Sequence, residues 1–412
     1  MSREPESRWA FLKGNIGVMI LTSGIWSLAG AMTWPFFSLY VLGLGGTYVD
    51  IGLISAVEAM VRILPTFIGG YLADSLGRKR MVYSMSFLLS FTQLLYALAP
   101  HYRFLLLPAA LEALWSGLRD PAFSAIIADS TRPENRAFSY AVWNIVPPLF
   151  GLLSPYLSGL LMDRYGVVRA MRWAYLAVFA TSFIASLLRY KLLGETLLPK
   201  AEREGVSLRT AVGELLSDFR RTVRSLSKQL WVFFAVDFTF NFAGSLCGPY
   251  FVTYATEEIG LTAAQWGFIS TILTLISTGV RLPAAWASDR YGRLKFMLPC
   301  MFLWPVTFFL FVNAEGFSQV MAARAAMTVL DSVGVPAWQA FFVDLSPREH
   351  RGRINAIASV SWAIIGSAGS VAGGTLYEGF SARAPFLVTA ALQFVGAVIA
   401  LLTFREPSRR EE

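Results

Sequence analysis

Apolar residues run along the chain in long stretches, separated by short polar ones. The apolar runs fall at about 15–42, 49–73, 81–99, 104–128, 137–162, 171–190, 230–256, 264–287, 296–313, 317–342, 354–377 and 384–404. A helix of about 20 apolar residues crosses roughly 30 Å of hydrocarbon. The pattern therefore predicts twelve membrane-crossing helices, because hydrocarbon offers an unpaired backbone amide no partner. The period-two alternation of membrane strands is not seen. The first run is longer than the apolar core of a signal peptide and reads as a retained helix. One polar stretch is long: 192–228 mixes both signs of charge and reads as a linker carrying an amphipathic surface helix.

Composition agrees. Of 412 residues, 55% are hydrophobic and 15% charged, against about 25% charged in soluble domains. The net charge of +8 does not point to nucleic acid, because the cations sit in short clusters between apolar runs. Those clusters orient the chain, since cytoplasmic loops collect Lys and Arg. With the N-terminus inside, 26 cations fall on cytoplasmic segments and five on outside loops, so both termini are expected in the cytoplasm. Arg189 is counted here with the cytoplasmic linker. The loop after the fifth run carries Arg164, Arg169 and Arg172 against this rule. Cys247 and Cys300 are too few and too far apart for a disulfide framework or a metal site.

The chain also matches itself. At an offset of 215, Asp74, Gly77 and Arg78 fall on Asp289, Gly292 and Arg293, and Pro121 and Asp129 on Pro336 and Asp344. At 214, Pro35–Tyr40 falls on Pro249–Tyr254. Two six-helix halves of the same orientation follow, 1–191 and 229–412, joined by the linker 192–228. Such parallel repeats are one architecture of transporters.

The stretch GYLADSLGRK, with Gly70, Asp74, Gly77, Arg78 and Lys79, resembles the G-x-x-x-D-R/K-x-G-R-R/K signature of the major facilitator superfamily, in the loop after the second span. The second copy keeps Asp289, Arg290, Gly292, Arg293 and, one place later, Lys295. Ser75 replaces a cation of the pattern and Ala285 a glycine. Length, twelve spans, long central loop and repeat extend the resemblance over the whole chain. It implies an all-α membrane protein in which Asp74, Arg78 and Asp129 form a cytoplasmic latch, with Asp289, Arg293 and Asp344 as its sister. It also implies that spans 1, 4, 7 and 10 line a central pathway.

Charges inside the apolar runs are costly, roughly 2.5–3.5 kcal/mol each at a helix centre, and usually face a cavity or a partner. Glu58 and Arg62 share one helix face and read either as a self-paired bridge or as part of the pathway. Glu112 and Arg119 are stacked two turns apart, and Asp120 precedes Pro121, whose freed backbone groups it is able to bond instead. Asp237 is expected to exchange a proton, with Asn241 one turn on offering it a hydrogen bond. Asp331 lies mid-span, whereas Arg281 and Arg324 lie nearer span ends and read as snorkelling. Trp26 and Trp34 are candidate cavity aromatics among many in spans 1 and 7.

Drug–proton antiporters of the superfamily often carry R-x-x-Q-G in span 4, where this chain has Ala113 and Ser116; of their span 5 pattern Pro155 and Gly159 are kept, while Ser154 and Ser158 replace glycines, so that resemblance is partial. The resemblance implies a secondary transporter of a small molecule, by proton-coupled efflux of a drug-like compound or metabolite, or alternatively by proton-coupled uptake of a sugar or organic acid. A non-transporting sensor or scaffold is a remote third reading. An ATP-driven pump lacks its phosphate loop. An enzyme lacks a nucleophile–base or metal constellation, the two histidines, His101 and His350, lying in loops on opposite sides. No cofactor is expected, and the chain is expected to act as a monomer in the lipid bilayer.

Overall fold

The computed structural model describes residues 14–131, 136–197, 227–347 and 350–405, and all its regular elements there are helices. Most of the linker, 198–226, lies outside the described residues, with the surface helix expected in it. The α-helices are α1 Asn15–Thr33, α2 Phe37–Gly43, α3 Tyr48–Leu76, α4 Arg78–Ala97, α5 Leu106–Asp129, α6 Arg136–Phe150, α7 Ser154–Tyr165, α8 Val167–Leu192, α9 Lys228–Cys247, α10 Phe251–Glu257, α11 Ala263–Tyr291, α12 Arg293–Val312, α13 Phe317–Leu345, α14 Arg351–Gly379 and α15 Ala384–Thr403.

The matching PFFSLY and PYFVTY stretches mark matching breaks. Pro35 and Pro249 each sit in a one-turn 3₁₀ segment, Trp34–Phe36 and Gly248–Tyr250, that bends one apolar rod into α1–α2 and another into α9–α10. A proline ring clashes with the carbonyl four residues back, so the helix tightens there.

Among the described residues, ten helical segments are long and apolar enough to cross a membrane. The other two expected spans, 81–99 and 104–128, coincide with α4 and α5. Those helices are polar for a reason visible in the fold. α4 spends Ser86, Ser90, Thr92 and Gln93 on buried positions, and α5 carries Glu112, Arg119 and Asp120 on a cavity.

The chain divides into two compact units, Met1–Leu198 with Val252–Leu275, and Pro199–Phe251 with Ile276–Glu412. In the first, α4 packs on α5 and α8, and α1 packs on α8 and on α6–α7. In the second the pairings recur at the repeat offset: α12 packs on α13 and α15, and α9 on α15 and α14. Each unit has a buried apolar cluster, around Met19, Met81 and Ile126 in the first and around Phe233, Phe341 and Phe404 in the second. In the first unit α7 closes on the start of α11, where the Asp163 carboxylate accepts from the Ala263 and Ala264 amides at 2.9 and 3.0 Å.

Candidate functional site

The signature turn is built as its residues require. Gly77 has φ +99° and Gly292 φ +106°, a region that a Cβ makes strained. Each turn throws an arginine back onto two carboxylates. Arg78 pairs with Asp129 and lies 3.4 Å from Asp74. Arg293 lies 2.7 Å from Asp344 and 3.8 Å from Asp289. Gly70 lies on α3 with only Pro121 near the position a Cβ would take. Sequence reasoning missed Glu195, whose carboxylate accepts from the Arg78 and Lys79 amides at 3.1 Å each. It thereby satisfies two of the orphan donors that begin α4.

The first unit holds a cavity of about 370 Å³. Glu112, Arg119 and Asp120 from α5 line it, with Trp26 from α1. Asp120 is shared: Arg119 donates to its Oδ1 through Nε and Nη2 at 3.2 and 2.9 Å, and Arg62 donates to its Oδ2. This corrects two local expectations. Arg62 reaches Asp120 across the α3–α5 contact and forms no ion pair with Glu58 on its own helix face. Asp120 serves two guanidinium groups rather than the backbone freed by Pro121. Glu112 lies beside Tyr96 and Gln93. Trp34, 82% exposed on its 3₁₀ turn, lines neither cavity.

Arg189 also lines the first cavity and is 5% exposed, so it is no loop cation. Its only sequence signal was a charge at the very end of an apolar run. Arg172, which broke the orientation pattern, donates from Nη2 to the Ala99 carbonyl at 2.9 Å, just past the end of α4. Cations are favoured at such helix ends.

The second unit holds a cavity of about 510 Å³, within the ordinary range of ligand pockets. Asp237 is 7% exposed. Its carboxylate is held by two indoles: Trp338 Nε1 donates to Oδ1 at 2.7 Å, and Trp362 Nε1 donates to Oδ2. Asn241 does not bond Asp237, contrary to expectation; its Oδ1 is buried with no partner and faces the same cavity. Asp331 and Arg324 line this cavity too. Arg324 packs 4.0 Å from the centroid of the Phe251 ring instead of snorkelling outward. Both tryptophans escaped the sequence reading, because α13 and α14 bring them to Asp237 from 101 and 125 residues away. Among the described residues no cluster of His, Cys, Asp and Glu is able to hold a metal ion.

A helical bundle of membrane-crossing length with acid-bearing cavities and ion-paired turns defines a multi-pass membrane transporter. The family model described as Major Facilitator Superfamily matches residues 19–262 and 233–412, and the chain belongs to that superfamily. It is 23% identical over 384 residues to the multi-drug resistance efflux pump PmrA of Streptococcus pneumoniae serotype 4 (strain ATCC BAA-334 / TIGR4), covering 90% of this chain and 91% of that protein. It is 25% identical over 407 residues to the multidrug resistance protein MdtG of Klebsiella pneumoniae (strain 342), covering 96% and 95%. The fold is similar to a crystal structure of a peptide transporter POT in complex with sulfate, with a TM-score of 0.71, 17% identity and coverage of 94% and 93%. It is also similar to the human organic anion transporter MFSD10 (TETRAN), with a TM-score of 0.65, 17% identity and coverage of 96% and 100%.

Proposed function

We propose that this transporter exports drug-like compounds or metabolites by alternating access, driven by inward proton flow. Twelve spans, two pseudo-symmetric halves and cytoplasmic termini are part of the proposal. The ion-paired turns at Arg78 and Arg293 act as its cytoplasmic gate. Export is supported by the similarity to efflux pumps over nearly the whole chain.

The observation that carries the coupling is Asp237. It is a carboxylate on a membrane-crossing helix, next to a cavity of about 510 Å³, and its hydrogen-bond donors are neutral indoles rather than cations. A proton is able to join or leave such a group without breaking an ion pair. A buried charge without a cation is unfavourable, so protonation state and cavity opening are linked. Glu112, an acid that lines the first unit's cavity, is the second choice.

The test uses everted membrane vesicles with an imposed pH gradient. Adding an exported compound should collapse the gradient through the wild-type protein. Asp237→Asn should abolish that collapse while leaving compound binding and compound exchange largely intact. Undiminished coupled flux in Asp237→Asn would move the coupling site to Glu112. Flux that ignores the proton gradient in the wild type would remove proton coupling altogether.

A further inference from the structure

The cavity of the first unit carries a cation for which the coupling step has no use. Arg189 sits at the end of α8 and is almost fully buried, yet its partners are hydroxyls. Nε donates to Thr22 Oγ1 at 3.0 Å, Nη1 to Ser86 Oγ at 2.9 Å and Nη2 to Ser23 Oγ at 3.2 Å. Thr22 in turn donates to the Met19 carbonyl, which leaves its oxygen as the acceptor. A guanidinium has five N–H groups, so two stay available after these three bonds.

Among the described residues no carboxylate pairs with Arg189. Asp120 in the same cavity is already divided between Arg62 and Arg119, and Glu112 lies beside Tyr96 and Gln93. Burying a cation without its counter-charge is strongly unfavourable. Neutral hydroxyls orient the fork but bring it no counter-charge.

The surroundings say what completes it. Arg189 and Arg119 both pack on the ring of Phe123, 5.1 and 5.4 Å from its centroid. Trp143 stands edge-on to the same ring at 5.1 Å and, with Trp26, lines the cavity. Two planar forks suit an oxyanion, and the aromatic wall suits a flat apolar body.

We propose that the cavity of the first unit binds an aromatic carboxylate or sulfonate, its oxyanion seated on Arg189 with Arg119 as the second cation. This rests on the chain exporting compounds through its cavities, and it names the substrate class of one of them.

The test uses the full chain in phosphatidylcholine nanodiscs, with naphthalene-2-sulfonate as probe and the neutral naphthalene-2-sulfonamide as control, bound under calorimetry. The wild type should prefer the sulfonate by about tenfold or more, the scale of a charge-assisted bond. Arg189→Gln should erase the preference, and Arg189→Lys, a point charge on a flexible stem, should keep only part of it. Should Arg189→Gln not fold, the half-buried Arg119→Gln should still weaken the sulfonate by roughly threefold and leave the sulfonamide unchanged.

Equal affinity of the wild type for both probes overturns the proposal, as does a preference that survives Arg189→Gln. Sulfonate affinity should be unchanged when phosphatidylglycerol is added to the discs; a competitive loss of about tenfold would assign the cations to a lipid headgroup and overturn the substrate class. Gradient-linked flux of neutral or cationic compounds in a protein that ignores the sulfonate would remove the anion site and leave proton-coupled export standing. Sulfonate binding without gradient-linked flux of any compound would do the reverse.

Discussion

At the scale of single residues, the two indoles on Asp237 carry the largest local consequence. A hydrogen bond to a charged group contributes about 1.5–3 kcal/mol, and removing the donor leaves a buried acceptor short of a partner. Trp338 also packs tilted against Phe233, with ring centroids 4.9 Å apart, so an aromatic replacement separates the donor from the packing. Trp338→Phe and Trp362→Phe should each lower stability by about 1.5–3 kcal/mol in the wild-type background. Each should cost much less once Asp237 is changed to Ala, because the interaction is then already gone. Unfolding midpoints of the purified variants check this cycle, and equal losses in both backgrounds would show that only ring packing matters. Asp237 was readable from the sequence as a lone acid in an apolar helix; its partners were not. A local reading sees one turn ahead and chose Asn241, whereas the donors arrive from α13 and α14. The same bias matched Arg62 to Glu58, four residues away, although Asp120 receives it.

At the scale of elements, close helix approach is what brings such distant partners together, and small residues permit it. α14 lies against α9 so closely that a Cβ on Gly373 would stand 2.0 Å from the Leu246 carbonyl oxygen. Backbone, unlike a side-chain tip, has no easy way to yield there. Gly373→Ala should therefore force the two helices apart and cost about 1–3 kcal/mol. Gly279→Ala on α11 meets nothing within 4 Å and should be neutral or stabilise by up to about 1 kcal/mol, since alanine is the better helix former. Thermal midpoints of the two variants, measured side by side, test this contrast. The elements themselves were largely legible. The glycine turns and nearly all helix positions follow from the apolar runs and the repeated signature, whereas the breaks at Pro35 and Pro249 fall inside runs read as unbroken, 15–42 and 230–256. What periodicity does not encode is which face of a neighbour an element meets. That is why Arg189, charged and one turn from a helix end, read as a loop cation while the packing of α8 on α1 and α4 buries it among Thr22, Ser23 and Ser86.

At the scale of the whole molecule, the number of spans turns on the hairpin of α4 and α5. Among the described residues ten segments meet the length and apolarity of a span without it, and twelve are expected with it. Parity gives no help, because removing two helices leaves every later loop on the same side. Only the connection 98–105 changes sides, which makes it the diagnostic segment. Its contacts favour the crossing. The Tyr102 amide donates to the Leu44 carbonyl, and Leu44 follows α2 at the far end of the first rod. The Ala99 carbonyl receives Arg172 from the start of α8, which follows the α7 end. Both neighbours lie one full span from the signature turn at Gly77, where the hairpin begins, so α4 has run from one end of the bundle to the other. Its low apolarity reflects polar residues turned inward, where a bundle tolerates them, not a helix too short to span. His101→Cys is the measurement, made in a background where the buried Cys247 and Cys300 are replaced by serine. With cytoplasmic termini, a membrane-impermeant maleimide added to intact cells should label position 101. A cysteine at Arg290, in the last turn of α11, which the same orientation puts in the cytoplasm, should react only once the cells are opened. Labelling of position 101 only in opened cells would return the hairpin to the cytoplasmic side and reduce the fold to ten spans.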